Sequence, residues 1–263
     1  MARLEVDKPL GAIYGFRYKG VYQYTDYTPQ EVPGVSGPNA PVARDAVGNV
    51  VTDDKGIAKP MTFCFGTGSE YEFKGGDAIY EDINHDGTIN ELDIVYLGSS
   101  LPKITGGFGF KIKYGRWTLN NQFNFRYGNK IINMNRANVE AMYTNNNQSR
   151  AVNHRWRVEG DITELPRALH QAGYNWLGSD RFVEDGSFLR LNYTQLSYSF
   201  SNKAIKKLGM TQLSFSISAQ NVFCITKYSG ADPEVGTDTK GIARDYSQTP
   251  RAKSITGGIT IQF

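Results

Sequence analysis

No run of about 18 apolar residues occurs anywhere in the 263-residue chain, so a transmembrane helix is excluded. A membrane barrel is not, because its strands alternate in polarity and give no hydropathy peak. Cysteine is scarce: Cys64 and Cys224 stand far apart and match no metal or redox spacing. A disulfide between them would need an oxidising compartment. An excess of one charge is also missing, since 29 basic and 26 acidic residues leave a formal net charge of +3. No basic stripe marks a nucleic-acid surface, and no nucleic-acid partner is expected. His85, His154 and His170 lack zinc-type spacing. There is no G-x-S-x-G elbow and no P-loop, and the adjacent Glu184 and Asp185 are the kind of pair that is usually solvated. The chain is therefore not expected to be an enzyme. Its start, MARLEVDKPLG, has no apolar core of the sort a secretory signal needs. Either the protein is not exported or its beginning lies elsewhere.

Aromatic residues are plentiful, with 16 Tyr, 14 Phe and 3 Trp beside 28 Gly. That mixture favours strands and turns. Between Ile104 and Tyr127, Phe108, Phe110, Ile112 and Tyr114 alternate with Gly or Lys before a turn at Gly115 and Arg116. After the turn Trp117, Leu119, Phe123, Phe125 and Tyr127 share one face and Thr118, Asn120, Gln122, Asn124 and Arg126 the other, so the stretch reads as a hairpin. Only Asn121 breaks the apolar face. Lys111, Lys113 and Arg126 fall in the polar phase, as they must if the other face meets lipid, where a basic residue would cost about 2 to 4 kcal/mol. The same period recurs in Thr194, Leu196, Tyr198 and Phe200, in Leu213, Phe215, Ile217 and Ala219, and in Ile255, Gly257, Ile259, Ile261 and Phe263. A weaker candidate spans Ile13 to Tyr24, which makes about six strands.

Alternation alone would suit a soluble β-sandwich equally well. Connection lengths separate the two. The turns at Gly115 and around Ser201–Met210 are short, whereas the stretches 25–103, 128–187 and 225–252 are long, and short and long alternate. Outer-membrane barrels have short periplasmic turns and long external loops. The expected fold is therefore all-β, an antiparallel transmembrane β-barrel segment with long extracellular loops. Six strands cannot close such a barrel, and open edges in lipid are costly, so the 263 residues are expected to be part of a longer protein or to share a barrel.

The sharpest local motif is DINHDGTINELD, residues 82–93, which follows the calcium-loop template of oxygen donors around an obligatory glycine. Asp82, Asn84 and Asp86 take the first three side-chain positions and Gly87 the sharp turn. Thr88 offers its carbonyl, Asn90 the water-bridged position, and Asp93 closes the loop where an EF-hand has a longer Glu. Ile89 would pack inward. A structural calcium ion is one reading; an Asx-rich turn that binds nothing is the other. Tyr143, Trp156, Tyr174 and Trp176 lie in the long connections, where they are suited either to stack on cargo or a lid partner or to pack among themselves.

VDKPLGAIYGFRYKGVYQ, GDAIYEDINHDGTINELDIVYLGSSLPKITGGF, SDRFVEDGSFLRLNYTQLSYSF and KKLGMTQLSFSISAQNVFCITKYSGADPEVG together resemble the C-terminal third of the SusC/RagA outer-membrane transporters. The resemblance covers nearly the whole chain, 1–263. It implies a TonB-dependent barrel of about 22 strands in the outer membrane of Bacteroidetes, with a plug that contacts the TonB complex and a SusD-like surface lipoprotein as lid. The implied cargo is an oligosaccharide or a peptide. The strand Gly258, Ile259, Ile261 and Phe263 is similar to the terminal signal read by barrel-insertion machinery. Relative to that family the plug and most of the wall are missing here. The competing reading is a soluble, secreted β-rich carbohydrate-binding module that uses calcium to stiffen a loop.

Overall fold

The computed structural model describes residues 9–24, 41–66, 68, 70–201, 205–206 and 209–263. The start of the first resembling motif, part of the 25–103 connection and part of the Ser201–Met210 turn lie outside the described residues. The chain divides into two compact units. One comprises residues 1–98 and 132–183, the other residues 99–131 and 184–263.

The second unit is built on a five-stranded antiparallel sheet. Its strands are β1 (Ile104–Tyr114), β2 (Trp117–Tyr127), β3 (Phe188–Ser199), β4 (Gln212–Thr226) and β5 (Ser254–Gln262), in the spatial order β5-β4-β3-β2-β1. Neighbours in space are neighbours in sequence, so the short turns lie at one end of the sheet and the long connections leave from the other. Cross-strand rows put like with like. Tyr114 faces Trp117, which faces Tyr198, then Phe215 and Ile259; Ile112, Leu119, Leu196 and Ile217 form the next row. Phe108 stacks on Phe123 at 4.9 Å and Trp117 packs on Tyr198 at 4.8 Å, pairs each worth about 0.5 to 1.5 kcal/mol beyond their burial.

That apolar face is open. Ile112 is 54% exposed, Ile217 63%, Ile259 62% and Ile255 81%, which a soluble sandwich would cover with a second layer. A transmembrane barrel wall presents such a face to lipid. The charged residues of the five strands, Lys111, Lys113, Arg126 and Arg190, are all basic and all lie on the opposite face. Asn121, the one polar residue in the apolar phase of β2, is shielded to 7% exposure, and its Oδ1 accepts the Thr194 hydroxyl at 2.7 Å. Two out-of-place polar groups thus satisfy each other.

β3 runs further back than its alternation suggests. Leu191 pairs with Phe123 and Phe223, while Tyr193 pairs with Gln122 and Gln220, so the register slips on both sides between these residues. This β-bulge returns Leu191 and Leu189 to the apolar face although they are out of phase with Thr194, Leu196 and Tyr198. On the polar side the long connection after β4 folds back. Arg190, 5% exposed at its side chain, lies 2.6 Å from an Asp232 oxygen and 2.9 Å from Glu234, the latter without an N–H aimed at the oxygen. Arg251 also reaches Glu234, at 2.8 Å.

One expectation is corrected. Residues Ile13 to Tyr24 do not add a sixth wall strand. They form two short strands of the first unit, Ala12–Gly15 and Tyr18–Val21. Ala12, Ile13, Tyr14 and Gly15 are all buried, so the segment serves a core on both faces and shows no alternation. Tyr18–Val21 pairs with Ala78–Tyr80. The core gathers Phe16, Tyr22, Phe63, Phe73, Tyr80 and Ile89, with Phe73 and Ile89 fully enclosed.

A buried polar node holds this core to the 156–177 segment. Asp77, 0% exposed, receives Arg167 Nε at 2.7 Å and Nη2 at 3.1 Å, the Tyr71 hydroxyl at 2.8 Å, the Lys74 amide at 2.9 Å and Asn175 Nδ2 at 3.2 Å. Removing one member of a buried pair strands the rest. Asp77→Ala is expected to destabilise the unit by about 3 to 5 kcal/mol and to speed amide hydrogen exchange at Ala78 and Leu177. Unchanged exchange at both would show that the node does not hold the segments together.

Candidate functional site

Residues 174–179 alternate in exposure, with Asn175, Leu177 and Ser179 buried and Tyr174, Trp176 and Gly178 turned out. Asn175 fixes this alternation. Its Oδ1 accepts the Ala78 amide at 2.8 Å, and its Nδ2 donates to Asp77 and to the Arg167 carbonyl. Tyr80 adds two bonds, donating its hydroxyl to the Tyr174 carbonyl and accepting the Leu177 amide. Burial, opposed by the bond from Leu177, pushes the Tyr80 phenol far above its usual pKa, so it stays a donor.

Held this way, Tyr174 packs on Phe63 with ring centres 4.1 Å apart and Trp176 lies against Tyr143 at 5.4 Å. Phe65 continues the row beside Phe63 at 6.4 Å. The rings of Phe63, Phe65, Tyr174 and Trp176 line a cleft of about 470 Å³ whose further walls are Phe16, Ile94 and Leu177 and whose backbone edges are Gly15, Gly68 and Gly178. Trp176 and Phe65 are each 41% exposed at its mouth. Three of the four aromatic residues singled out in the sequence are therefore brought together. Trp156 is not: it is 5% exposed, donates Nε1 to Gln23 Oε1 at 3.0 Å and packs edge-on against Tyr24. Sequence reasoning missed Phe63 and Phe65, although their i, i+2 spacing in TFCFG was a strand signal for two rings on one face.

The 82–93 loop closes on itself. The Asp82 carboxylate accepts the Asp86 and Gly87 amides at 3.3 and 2.8 Å, and Asp86 Oδ1 accepts the Thr88 amide at 2.7 Å. Gly87 has φ +80° and its backbone lies where a Cβ would come within 2.6 Å of the Ala43 methyl, so glycine is required. Asp93 is fully enclosed and accepts the Ile83 amide at 2.7 Å and the Asn90 amide at 2.8 Å. Burial first, and then the charges of Asp82 and Asp86, raise its pKa against the lowering effect of those two amides. Asn84 Nδ2 donates to Asp86 and Asn90 Nδ2 to the Thr88 carbonyl. Lys59 Nζ donates to the Asp86 carbonyl and, at 3.2 Å, to the Thr88 hydroxyl. Among the described residues no three His, Cys, Asp or Glu side chains gather as a metal-binding group. Ile89 is buried beneath the loop, as its place in the motif suggests.

Among the described residues β5 pairs with β4 alone: Gly258 faces Ser216, Ile259 faces Phe215 and Ile261 faces Leu213. Phe263 follows it, 83% exposed. Glu184 and Asp185 are used structurally, Glu184 accepting the amide and hydroxyl of Ser229 and Asp185 those of Ser187. Cys64 and Cys224 are free thiols.

No family model matches the sequence. Curated relatives do. A TonB-dependent receptor of Formosa agariphila is 27% identical over 99% of this chain and 26% of its own length, and another from that organism is 24% identical over 99% and 23%. SusC of Bacteroides thetaiotaomicron, also a TonB-dependent receptor, is 27% identical over 70% of this chain and 17% of its own. The chain thus spans about a quarter, or less, of the length of these relatives. A solved structure of the RagAB peptide transporter superposes with a TM-score of 0.65 at 22% identity, over 96% of this chain and 23% of that one. The closed state of the RagAB peptide importer gives 0.58 at 18%. The resemblance to the SusC/RagA proteins is borne out, as is the all-β, barrel-wall fold. These relatives are receptors and transporters, not enzymes, in keeping with the sequence reading.

Proposed function

We propose that this chain is part of an outer-membrane importer for glycans or peptides, a TonB-dependent receptor of the SusC/RagA kind. The observation that carries the reading is the open apolar face of the five-stranded sheet, with short turns at one end and long connections at the other. Lipid covers the apolar face, and the opposite face, rich in Ser, Thr, Asn and Gln, lines the lumen. The stretches 25–103, 128–187 and 225–252 are then extracellular, where a SusD-like lipoprotein would act as lid. Energy would enter through a TonB-contacting plug supplied by another part of the protein. The rings of Tyr143, Tyr174 and Trp176 lie in the 128–187 connection, where they would meet cargo or lid.

Two experiments test this. Membrane fractionation of the intact protein is expected to recover it in the outer membrane as a heat-modifiable barrel together with a surface lipoprotein; recovery from the aqueous fraction would overturn the assignment. Deleting Phe263 is expected to lower the yield of heat-modifiable barrel severalfold, because the exposed aromatic at the end of β5 acts as the insertion signal. An undiminished yield would remove that role.

The 82–93 loop supports a second, structural assignment, a calcium ion held by Asp82, Asn84, Asp86, the Thr88 carbonyl, Asn90 and Asp93. What supports it is the order of oxygen donors along the loop and its wrap about Gly87, with the charges of Asp82 and Asp86 raising the pKa of the buried Asp93. Calorimetric titration with calcium is expected to give a heat that Asp86→Ala abolishes. Equal heats in the two proteins would return the loop to an Asx-rich turn.

A further inference from the structure

We infer that the cleft bounded by Phe63, Tyr174 and Trp176 accepts an apolar side chain of a peptide, with its flanking backbone, and not a sugar ring. The inference rests on the importer reading and narrows its cargo. Sugar sites combine an aromatic platform with side chains that replace the water on the hydroxyl groups. Here, among the described residues, the lining side chains include no acid, no base and no amide. Trp176 Nε1 already donates to the Gly173 carbonyl at 3.2 Å, and the Gly178 carbonyl accepts the Phe16 amide at 3.0 Å. Apart from the Tyr174 hydroxyl, a sugar would lose water and find little in return. An aliphatic or aromatic side chain loses nothing comparable and gains contact with rings on several sides.

Size and shape agree. About 470 Å³ is room for more than one side chain and lies within the range of about 300 to 1,000 Å³ usual for small-ligand sites. The floor is kept flat by Gly15, where a Cβ would come within 2.6 Å of the Gly178 carbonyl. At Gly178 itself a Cβ would meet nothing within 4 Å. Gly178→Leu should therefore fill the cleft without disturbing the fold.

The test is calorimetry on the intact transporter in detergent, with the tripeptide Leu-Phe-Leu and with maltohexaose, comparing the parent protein with Gly178→Leu and Trp176→Ala. Both variants are first checked for an unchanged heat-modifiable barrel. The expected result is tripeptide binding by the parent, at least tenfold weaker in both variants, and no maltohexaose heat that depends on either position. No tripeptide binding by the parent, or equal binding by Gly178→Leu, overturns the inference. So does a maltohexaose heat lost in the variants, which would make the cleft a sugar site. Retained tripeptide binding with loss of the co-purifying lipoprotein would assign the cleft to a protein partner and also overturn it. The importer reading fails separately, through the location of the protein, whatever the heats.

Discussion

A strand in hydrocarbon has no water to satisfy its backbone, so every N–H and C=O must find a neighbouring strand, and the register of that pairing decides which side chains meet lipid. In the five-stranded sheet this constraint sets nearly everything else. Each of β2, β3 and β4 is paired on both sides. The apolar phase runs continuously from Tyr114 through Trp117, Tyr198 and Phe215 to Ile259. Where the sequence of β3 falls out of phase, the backbone and not the side chains gives way: the bulge between Leu191 and Tyr193 turns Leu189 and Leu191 back to the apolar side and leaves Arg190 on the polar side. Without it Arg190 would face lipid, at a cost of about 2 to 4 kcal/mol near mid-bilayer. With it, the guanidinium meets Asp232 and Glu234.

The first unit is held by a different kind of interaction. Its strands are two to five residues long and their ladders contribute little, so order comes from buried side chains. Asp77 gathers five donors, and Asn175 connects that node to the alternating 174–179 segment. The partly buried ring of Tyr174 and the exposed ring of Trp176 are held in place because the residues between and after them are anchored. A cleft made of loops is otherwise poorly defined; here the anchoring is inward and the chemistry outward.

Legibility in the sequence followed this division. β1, β2, β4 and β5 were readable because a half-exposed strand must alternate, and the connection lengths told which end was which. The N-terminal half of β3 was hidden, since a bulge at Asn192 breaks the period that a reader looks for. The strand Ala12–Gly15 is buried on both faces and carries no alternation, and Tyr18–Val21 is too short to show any, so neither could be told from a wall strand. The partners of Arg190, some forty residues on in the chain, and of Trp156, at Gln23, are set by folding and leave no local mark. One signal stood in plain view and was passed over: TDDKGIA at 52–58 and TDTKGIA at 237–243 are nearly the same words. Both fold as the same tight hairpin, in which Asp53 or Asp238 accepts two amides and Gly56 or Gly241 takes positive φ.

That contrast between the units bears on where specificity resides. The polar face of the wall offers Ser, Thr, Asn and Gln side chains in rows fixed by the ladder, and the charged residues of its five strands are basic. Changing one of these residues alters a single point on a regular surface. The cleft is different in kind: its shape depends on Phe63 and Tyr174 coming from segments more than a hundred residues apart in sequence, and its chemistry on a lining that, among the described residues, is aromatic, aliphatic and glycine. Selection by exclusion of polar groups requires that the rings not move to admit water. The buried Asp77 and Asn175 bonds fix the segment that carries Tyr174 and Trp176, so the shape of the cleft is set by polar contacts beneath it.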